Sequence, residues 1–260
     1  MIERIPCRTA LNRSTLPGLD YCLNPYVGCG HGCRYCYVPD VLKREELHQN
    51  WGQKIYVKEG IEEILRREVK TKRRGTVGIS TVTDPYQPIE AKTELTRKCL
   101  EILRHSGFKV SIQTKSNLVL RDRDLLEPSF DVGVTIITMD GELSRLLEPS
   151  APPPDARAQV LEELSGKLET WLFLGPVIPR VNDEVEEIRK VIEVARKTQS
   201  LLFFDWFRPK PWATQRLLSA LQGKFEVETE TLSDHEWRNQ TLKKVREICR
   251  QLGVRLQPTW

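Results

Sequence analysis

The chain has no apolar run long enough to cross a bilayer: its most hydrophobic stretches, Val132 to Ile137 and Leu201 to Phe204, fall far short of the roughly 20 residues a spanning helix needs. It also lacks a signal-peptide apolar region after Met1-Ile2-Glu3-Arg4, an internal repeat, and any low-complexity stretch beyond Pro152-Pro153-Pro154. Membrane-spanning, secreted and solenoid classes are set aside on these grounds, and a cytoplasmic location is expected. An excess of one charge is missing too. Forty Lys and Arg against 36 Asp and Glu leave +4, too mild a balance to demand a polyanionic partner.

What is present describes a soluble α/β protein. Over 260 residues, 39% hydrophobic and 29% charged, there is enough apolar material for one sizeable core under an ionised surface. Short β-branched runs, Val77 to Val82, Val110 to Thr114, Val132 to Thr138, Trp171 to Leu174 and Leu201 to Phe204, read as buried parallel strands. A first strand is expected near Tyr21 to Tyr26. Between them lie amphipathic segments: Ile61 to Lys70 sets Ile61, Ile64, Leu65 and Val69 on one face, and Leu95 to Leu103, Ala158 to Leu164 and Val185 to Val194 behave alike. This alternation predicts βα units and a parallel sheet, closed by a helix over His235 to Leu252.

Seven cysteines, an odd number, with three crowded into eight positions, argue against a disulfide framework and for thiolate ligation. The segment Gly28-Cys29-Gly30-His31-Gly32-Cys33-Arg34-Tyr35-Cys36-Tyr37 spaces the three by three and then two residues, on a loop made supple by glycine, just after the first strand. A [4Fe–4S] cube has four iron corners, and such a loop wraps three of them. The fourth iron is then open to the amino and carboxylate groups of S-adenosylmethionine (SAM). A structural zinc site wants a second cysteine knuckle, which is absent, and His31 sits too tightly between cysteines to complete a tetrahedron. Cys7, Cys22, Cys99 and Cys249 are scattered and read as buried small hydrophobes or idle thiols, with no second cluster among them.

The CxxxCxΦC pattern with Tyr35 at the aromatic position resembles the radical SAM superfamily. Asn24-Pro25-Tyr26, the stretch Thr81 to Glu90, Thr114-Lys115-Ser116 and Pro176 to Asp183 together look like its spore photoproduct lyase-like branch, from about Asn24 to Asp205. The resemblance implies a partial (β/α)6 barrel, an oxygen-sensitive [4Fe–4S] cluster on Cys29, Cys33 and Cys36, and an electron donor of flavodoxin or ferredoxin type. It implies SAM lying near Tyr35, with Thr83 and Asp84 at the end of the second strand meeting its amino group. Lys115 after the third strand would meet its carboxylate, Ser116 beside it would join the cofactor site, and Thr135 on the fourth would offer a hydroxyl. On this reading residues 1–20 are an N-terminal extension, 21–210 the barrel and 211–260 a C-terminal helical extension.

The lyase that names the branch is expected to return a hydrogen atom from a cysteine near the end of the second strand, and Ser80 to Pro85 contains none. Tyr86 is the nearest replacement, with plain packing as its alternative role. Leu202 to Trp212 gathers aromatic and basic groups after the last strand, a combination that stacks on bases and neutralises phosphates. Nucleobase chemistry in DNA or RNA therefore leads the substrate classes, with a peptide or small metabolite as rival. A non-enzymatic iron–sulfur or zinc protein is the reading from outside the enzymes. The two basic stretches, Arg66 to Arg74 and Lys243 to Arg255, alternate with glutamates on predicted helices and read as solvated faces. The oligomeric state is not legible.

Overall fold

The structure is a computed structural model and describes residues 1–258. Trp260, expected to tuck under the barrel or cap a channel, lies outside the described residues. Strands β1 (Ile2–Pro6), β2 (Asn12–Arg13), β3 (Tyr21–Leu23) and β4 (Tyr26–Val27) precede the cysteine loop. Helices α1 (Val38–Leu42) and α2 (Glu45–Gln49) lead from that loop to β5 (Ile55–Glu59). Helix and strand then alternate: α3 (Ile61–Thr71), β6 (Thr76–Ile79), α4 (Glu90–Thr93), α5 (Leu95–Leu103) and β7 (Lys109–Thr114). A 3-10 segment (Asn117–Leu125) leads into β8 (Phe130–Thr135), α6 (Gly141–Leu147), α7 (Pro154–Leu164), β9 (Glu169–Val177), α8 (Val185–Thr198) and β10 (Leu201–Trp206). Helices α9 (Pro211–Leu221) and α10 (His235–Leu252) and strand β11 (Leu256–Pro258) follow.

The larger sheet runs β11-β10-β9-β8-β7-β6-β3-β2, parallel throughout except for the β2–β3 pair. Its central strands are apolar on both faces, as helical cover on both sides requires: Val110, Ile112, Val132, Val134, Leu172 and Leu174 are all fully buried. The parallel run β3, β6, β7, β8, β9 and β10 supplies the six strands expected, and the sheet is open, with β2 and β11 at its edges. Such open α/β sheets present their ligand sites at the carboxyl ends of the strands.

Three local readings need correction. The first strand is not continuous from Tyr21 to Tyr26. Asn24 and Pro25 break it, so Tyr26 and Val27 pair antiparallel with β5 in a second, three-stranded sheet, β1-β5-β4. The second strand stops at Ile79, short of Val82, because Ser80 takes a left-handed backbone (φ 65°). The Asn24 side chain then draws off the Thr81 and Val82 N–H groups at 3.0 and 3.2 Å, so Thr83 and Asp84 lie on a loop rather than on the strand. The fourth strand ends at Thr135 instead of Thr138. Residues 1–20 are tied in by β1 against β5 and β2 against β3, while α10 packs on α8 and β11 on β10.

Candidate functional site

The cysteine loop lies at the carboxyl ends of β6, β7 and β8, where Gln87 stitches it to the loop after β6. The Gln87 Oε1 accepts from Gly30 N at 2.7 Å, and its amide donates to Gly28 O at 3.2 Å and to Thr83 Oγ1 at 2.9 Å. Thr83 itself donates to the Gly28 carbonyl. The loop glycines serve conformation and close approach rather than suppleness. Gly28 and Gly32 have φ of 86° and 64°, and a Cβ on Gly28 would sit 2.4 Å from the Lys54 carbonyl oxygen. Trp51 completes the cradle by donating from Nε1 to Cys33 O at 3.1 Å.

Cys29 and Cys33 are buried and Cys36 partly so. Burial pushes all three thiols up, Cys33 to about 12, and the neighbouring cysteines push Cys29 and Cys33 further. Thiolates here need a positive partner. Among the described residues no group of three or more His, Cys, Asp or Glu side chains is already gathered round a metal position.

Asp84 is buried with both oxygens engaged. Oδ1 accepts from Thr114 Oγ1 at 2.7 Å and Tyr86 N at 2.9 Å, and Oδ2 accepts from Lys115 N at 2.8 Å with His31 Nε2 at 3.4 Å. Burial alone would raise its pKa; His31, Thr114 and the Lys115 N–H outweigh that and pull it to about 2. His31, set aside by sequence as a ligand, therefore has a defined place: its other ring nitrogen is 3.1 Å from Ser150 O, so it bridges the cysteine loop, Asp84 and the turn after α6.

A pH dependence follows for the protein without metal. A carboxylate whose folded pKa is depressed below its unfolded value of 3.8 stabilises the fold above that value, by about 2 kcal/mol for Asp84 at pH 7, and loses this as pH falls through about 2. The urea midpoint of Asp84→Asn will fall below wild type at pH 7, and the gap will narrow as pH drops from about 4 towards 2. An unchanged gap at pH 3 would contradict this origin of the stability.

Lys115 follows β7, its ammonium 5.8 Å from the Tyr35 ring centroid. Burial would lower its pKa, but Cys33, Glu148 and Asp84 together hold it above the ordinary lysine range, so it stays a cation. Ser116 caps the following 3-10 segment, accepting from Leu118 N at 3.2 Å. It also lines a 380 Å³ cleft with His31, Tyr86, Pro88 and Ser150. Thr135 Oγ1, at the end of β8, accepts from Gln113 at 3.2 Å.

Tyr86 is buried in the main core, and the carboxylate of Asp122 acts on its hydroxyl to raise its pKa further after burial. Cys99 is fully buried in α5, where burial holds its thiol far above the ordinary range. Cys7, Cys22 and Cys99 are not scattered in space as they are in sequence: all three act on the charge of Lys58.

Sequence reasoning missed the pair that fixes Tyr35. Its hydroxyl donates to Glu148 Oε1, and Glu148 Oε2 lies 2.6 Å from Arg157 Nη1, with both charged side chains almost fully buried. Arg157 also donates to Thr135 O at 3.1 Å and Pro152 O at 2.7 Å. A signal was there. Arg157 falls on the inward stripe of α7 with Pro154, Ala158, Leu161 and Leu164, where a charge must have a buried partner.

Residues 23–192 match the family model described as the Radical SAM superfamily. The chain belongs to this superfamily. It is accordingly a radical SAM enzyme, and membership implies a [4Fe–4S] cluster, SAM and an electron donor. An uncharacterized protein of Methanocaldococcus jannaschii is 29% identical over 236 residues, covering 90% of this radical SAM chain and 87% of that one. Another, of Mycobacterium tuberculosis, is 32% identical over 204 residues, which span 73% of this chain and 60% of the relative. Among solved structures, spore photoproduct lyase complexed with dinucleoside spore photoproduct superposes with a TM-score of 0.76 at 13% identity, over 100% of this chain and 82% of that one. The Streptococcus suis protein SuiB bound to S-adenosylmethionine gives 0.58 at 13% identity, over 91% of this chain and 46% of its own. At such identities these two likenesses speak for the fold.

No helix among the described residues is long and apolar enough to cross a membrane.

Proposed function

We propose that Cys29, Cys33 and Cys36 hold a [4Fe–4S] cluster, that SAM occupies the fourth iron, and that the resulting 5′-deoxyadenosyl radical removes a hydrogen atom from a nucleobase. The observation that carries this reading is three thiols on one buried loop, with the Lys115 cation acting on Cys33 and Cys36 and no carboxylate ion-paired to its ammonium among the described residues. The thiols fit the group. Buried sulfurs that are costly to ionise alone become thiolates when iron supplies the positive charge. The cluster, when bound, supplies one electron to the carbon–sulfur bond of SAM.

The remaining work belongs to the chain's own side chains. Lys115 is the cation for the methionine carboxylate, with Ser116 beside it. Asp84 and Thr83 are the acceptors for the amino group. Of the four contacts to Asp84, the 3.4 Å one to His31 is the weakest and the one an ammonium group displaces. Tyr35, held through Glu148, packs against the adenine, and Thr135 offers its hydroxyl from the end of β8. The hydrophobic cluster of Cys33, Tyr35, Ile137 and Leu147 keeps water from this side of the loop.

Support for a nucleobase comes from the end of β10. Trp206 has the Arg208 and Arg238 guanidinium carbons 5.7 and 5.6 Å from its ring centroid, and Tyr37, after the last loop cysteine, is 47% exposed. Other aromatics of the stretch are internal: Phe204 and Phe207 are buried, and Trp212 stacks on His48. Trp206 is half-buried, and its flanking guanidinium groups together with the exposed Tyr37 ring supply the stacking and phosphate contacts such a substrate uses. The dinucleoside bound by the structurally similar lyase is consistent with this class. The buried Cys99 cannot return a hydrogen atom to such a substrate without unfolding α5 locally; Tyr86, against Asp122, is the candidate relay.

The test is anaerobic. Reconstituted, dithionite-reduced wild type given SAM will form 5′-deoxyadenosine, and a salt-sensitive gel shift with oligonucleotides will mark the substrate class. An intact cluster spectrum with no 5′-deoxyadenosine in the presence of oligonucleotides would favour an electron carrier. A peptide or small metabolite is favoured if turnover occurs but no oligonucleotide shifts at low salt.

A further inference from the structure

We infer that Arg216, on α9, is a positioning residue that eases electron uptake at the cysteine loop; the inference rests on the cluster proposed for Cys29, Cys33 and Cys36. Helix α9 lies beyond the segment 23–192 that matches the family model, and it packs back onto the cysteine loop from there. Two contacts clamp its N-terminus onto the helices after the loop. The Asp40 carboxylate of α1 accepts from Trp212 N at 2.8 Å and Ala213 N at 3.1 Å, and the Trp212 ring stacks on His48 of α2 with centroids 4.7 Å apart and planes within 3°.

From this clamped helix Arg216 reaches back to the cysteines. Its Nη2 donates to the Cys36 carbonyl, its Nη1 is 2.9 Å from His48 Nδ1, and its guanidinium carbon is 5.8 Å from the centroid of Trp51, the ring that donates to Cys33 O. Its Nε is buried with no hydrogen-bond partner, and no carboxylate among the described residues forms an ion pair with it. A buried donor without a partner, on a guanidinium that feels the Asp40 carboxylate but forms no ion pair with it, is costly unless further negative charge arrives beside it. Three thiolates carrying an iron–sulfur group bring that charge, and each electron added there increases it.

Reduction transfers one electron from an external low-potential donor, with no bond broken and nothing released, so the site becomes more negative by one. A fixed cation against Cys36 stabilises that product over the starting state and raises the reduction potential. Lys115, which acts on both Cys33 and Cys36, adds to the same effect but is committed to SAM in the proposal; Arg216 is not.

The deciding experiment is an EPR-monitored redox titration, with dithionite and mediators and no SAM, of the reconstituted full chain as wild type, Arg216→Lys and Arg216→Gln. Signals come only from loaded molecules, so a variant that assembles fewer clusters still reports its potential. Arg216→Gln is expected to lower the reduced-to-oxidised ratio at fixed potential about tenfold, which is about 59 mV for one electron, while Arg216→Lys stays within about threefold of wild type. A Gln potential equal to wild type overturns the inference, as does a Lys variant displaced as far as the Gln variant. Wild type with iron and sulfide but no [4Fe–4S] signal would instead defeat the proposed cluster, and the inference with it.

Discussion

Arg157→Met is expected to destabilise the protein by about 3–5 kcal/mol, the usual cost of stranding one member of a buried ion pair. The Glu148 carboxylate left behind is fully buried, with the Tyr35 hydroxyl and a 3.4 Å contact from Ser144 as its remaining hydrogen-bond partners and Lys115 as a cation that acts on it without an ion pair. Two neutral donors do not replace a guanidinium 2.6 Å away. The loss reaches further, because Arg157 also holds the Thr135 and Pro152 carbonyls and so pins α7 to the end of β8. Urea unfolding followed by tryptophan fluorescence measures the cost. A cycle with Glu148→Gln separates the charge from the scaffold: the double variant will recover a large part of the loss if the stranded carboxylate is its source, and none if the lost carbonyl contacts are. A single-variant cost below about 1 kcal/mol would show that Glu148 takes up a proton or water instead.

The pair also shows where sequence stopped being informative. The strand and helix rhythm is local, so β7, α5 and α10 lie where periodicity placed them, and α7 differs only at its N-terminal end. The cysteine motif is local as well. What joins its surroundings is not: Glu148 is 113 residues from Tyr35, Ser150 is 119 from His31, and Arg216 is 180 from Cys36. No pattern along a single chain encodes such pairings. Their traces are misfits, a charged residue on an apolar helix stripe in Arg157 and a histidine with no ligand role in His31. The shortened second strand has the same character, since its end is set by a side chain 57 residues earlier, Asn24, and not by any breaker in Val77 to Val82. The small sheet was invisible because β1 and β5 each need the other, and neither Ile2–Pro6 nor Ile55–Glu59 alternates strongly enough alone.

The largest effect on activity is expected at Cys33, where Cys33→Ala will abolish reductive formation of 5′-deoxyadenosine while Cys99→Ala leaves it within about twofold of wild type. The contrast rests on position and not on reactivity, since both thiols are buried and raised by burial. Cys33 lies on the turn-rich loop beside Tyr35 and feels Lys115 and Cys36, so its removal takes away one of the three sulfurs proposed to hold the cluster. Cys99 packs in the main core among Leu100 and Leu103, where a small residue costs stability of about 1 kcal/mol and no ligand. Iron content and the visible absorption of the reconstituted proteins, read beside the chromatographic assay, make the comparison independent of the substrate. Iron retained at wild-type level in Cys33→Ala would mean that two cysteines suffice to hold it. Product lost in Cys99→Ala, with iron retained and no loss of folded protein, would bring the thiols around Lys58 into the chemistry and move the hydrogen path away from Tyr86.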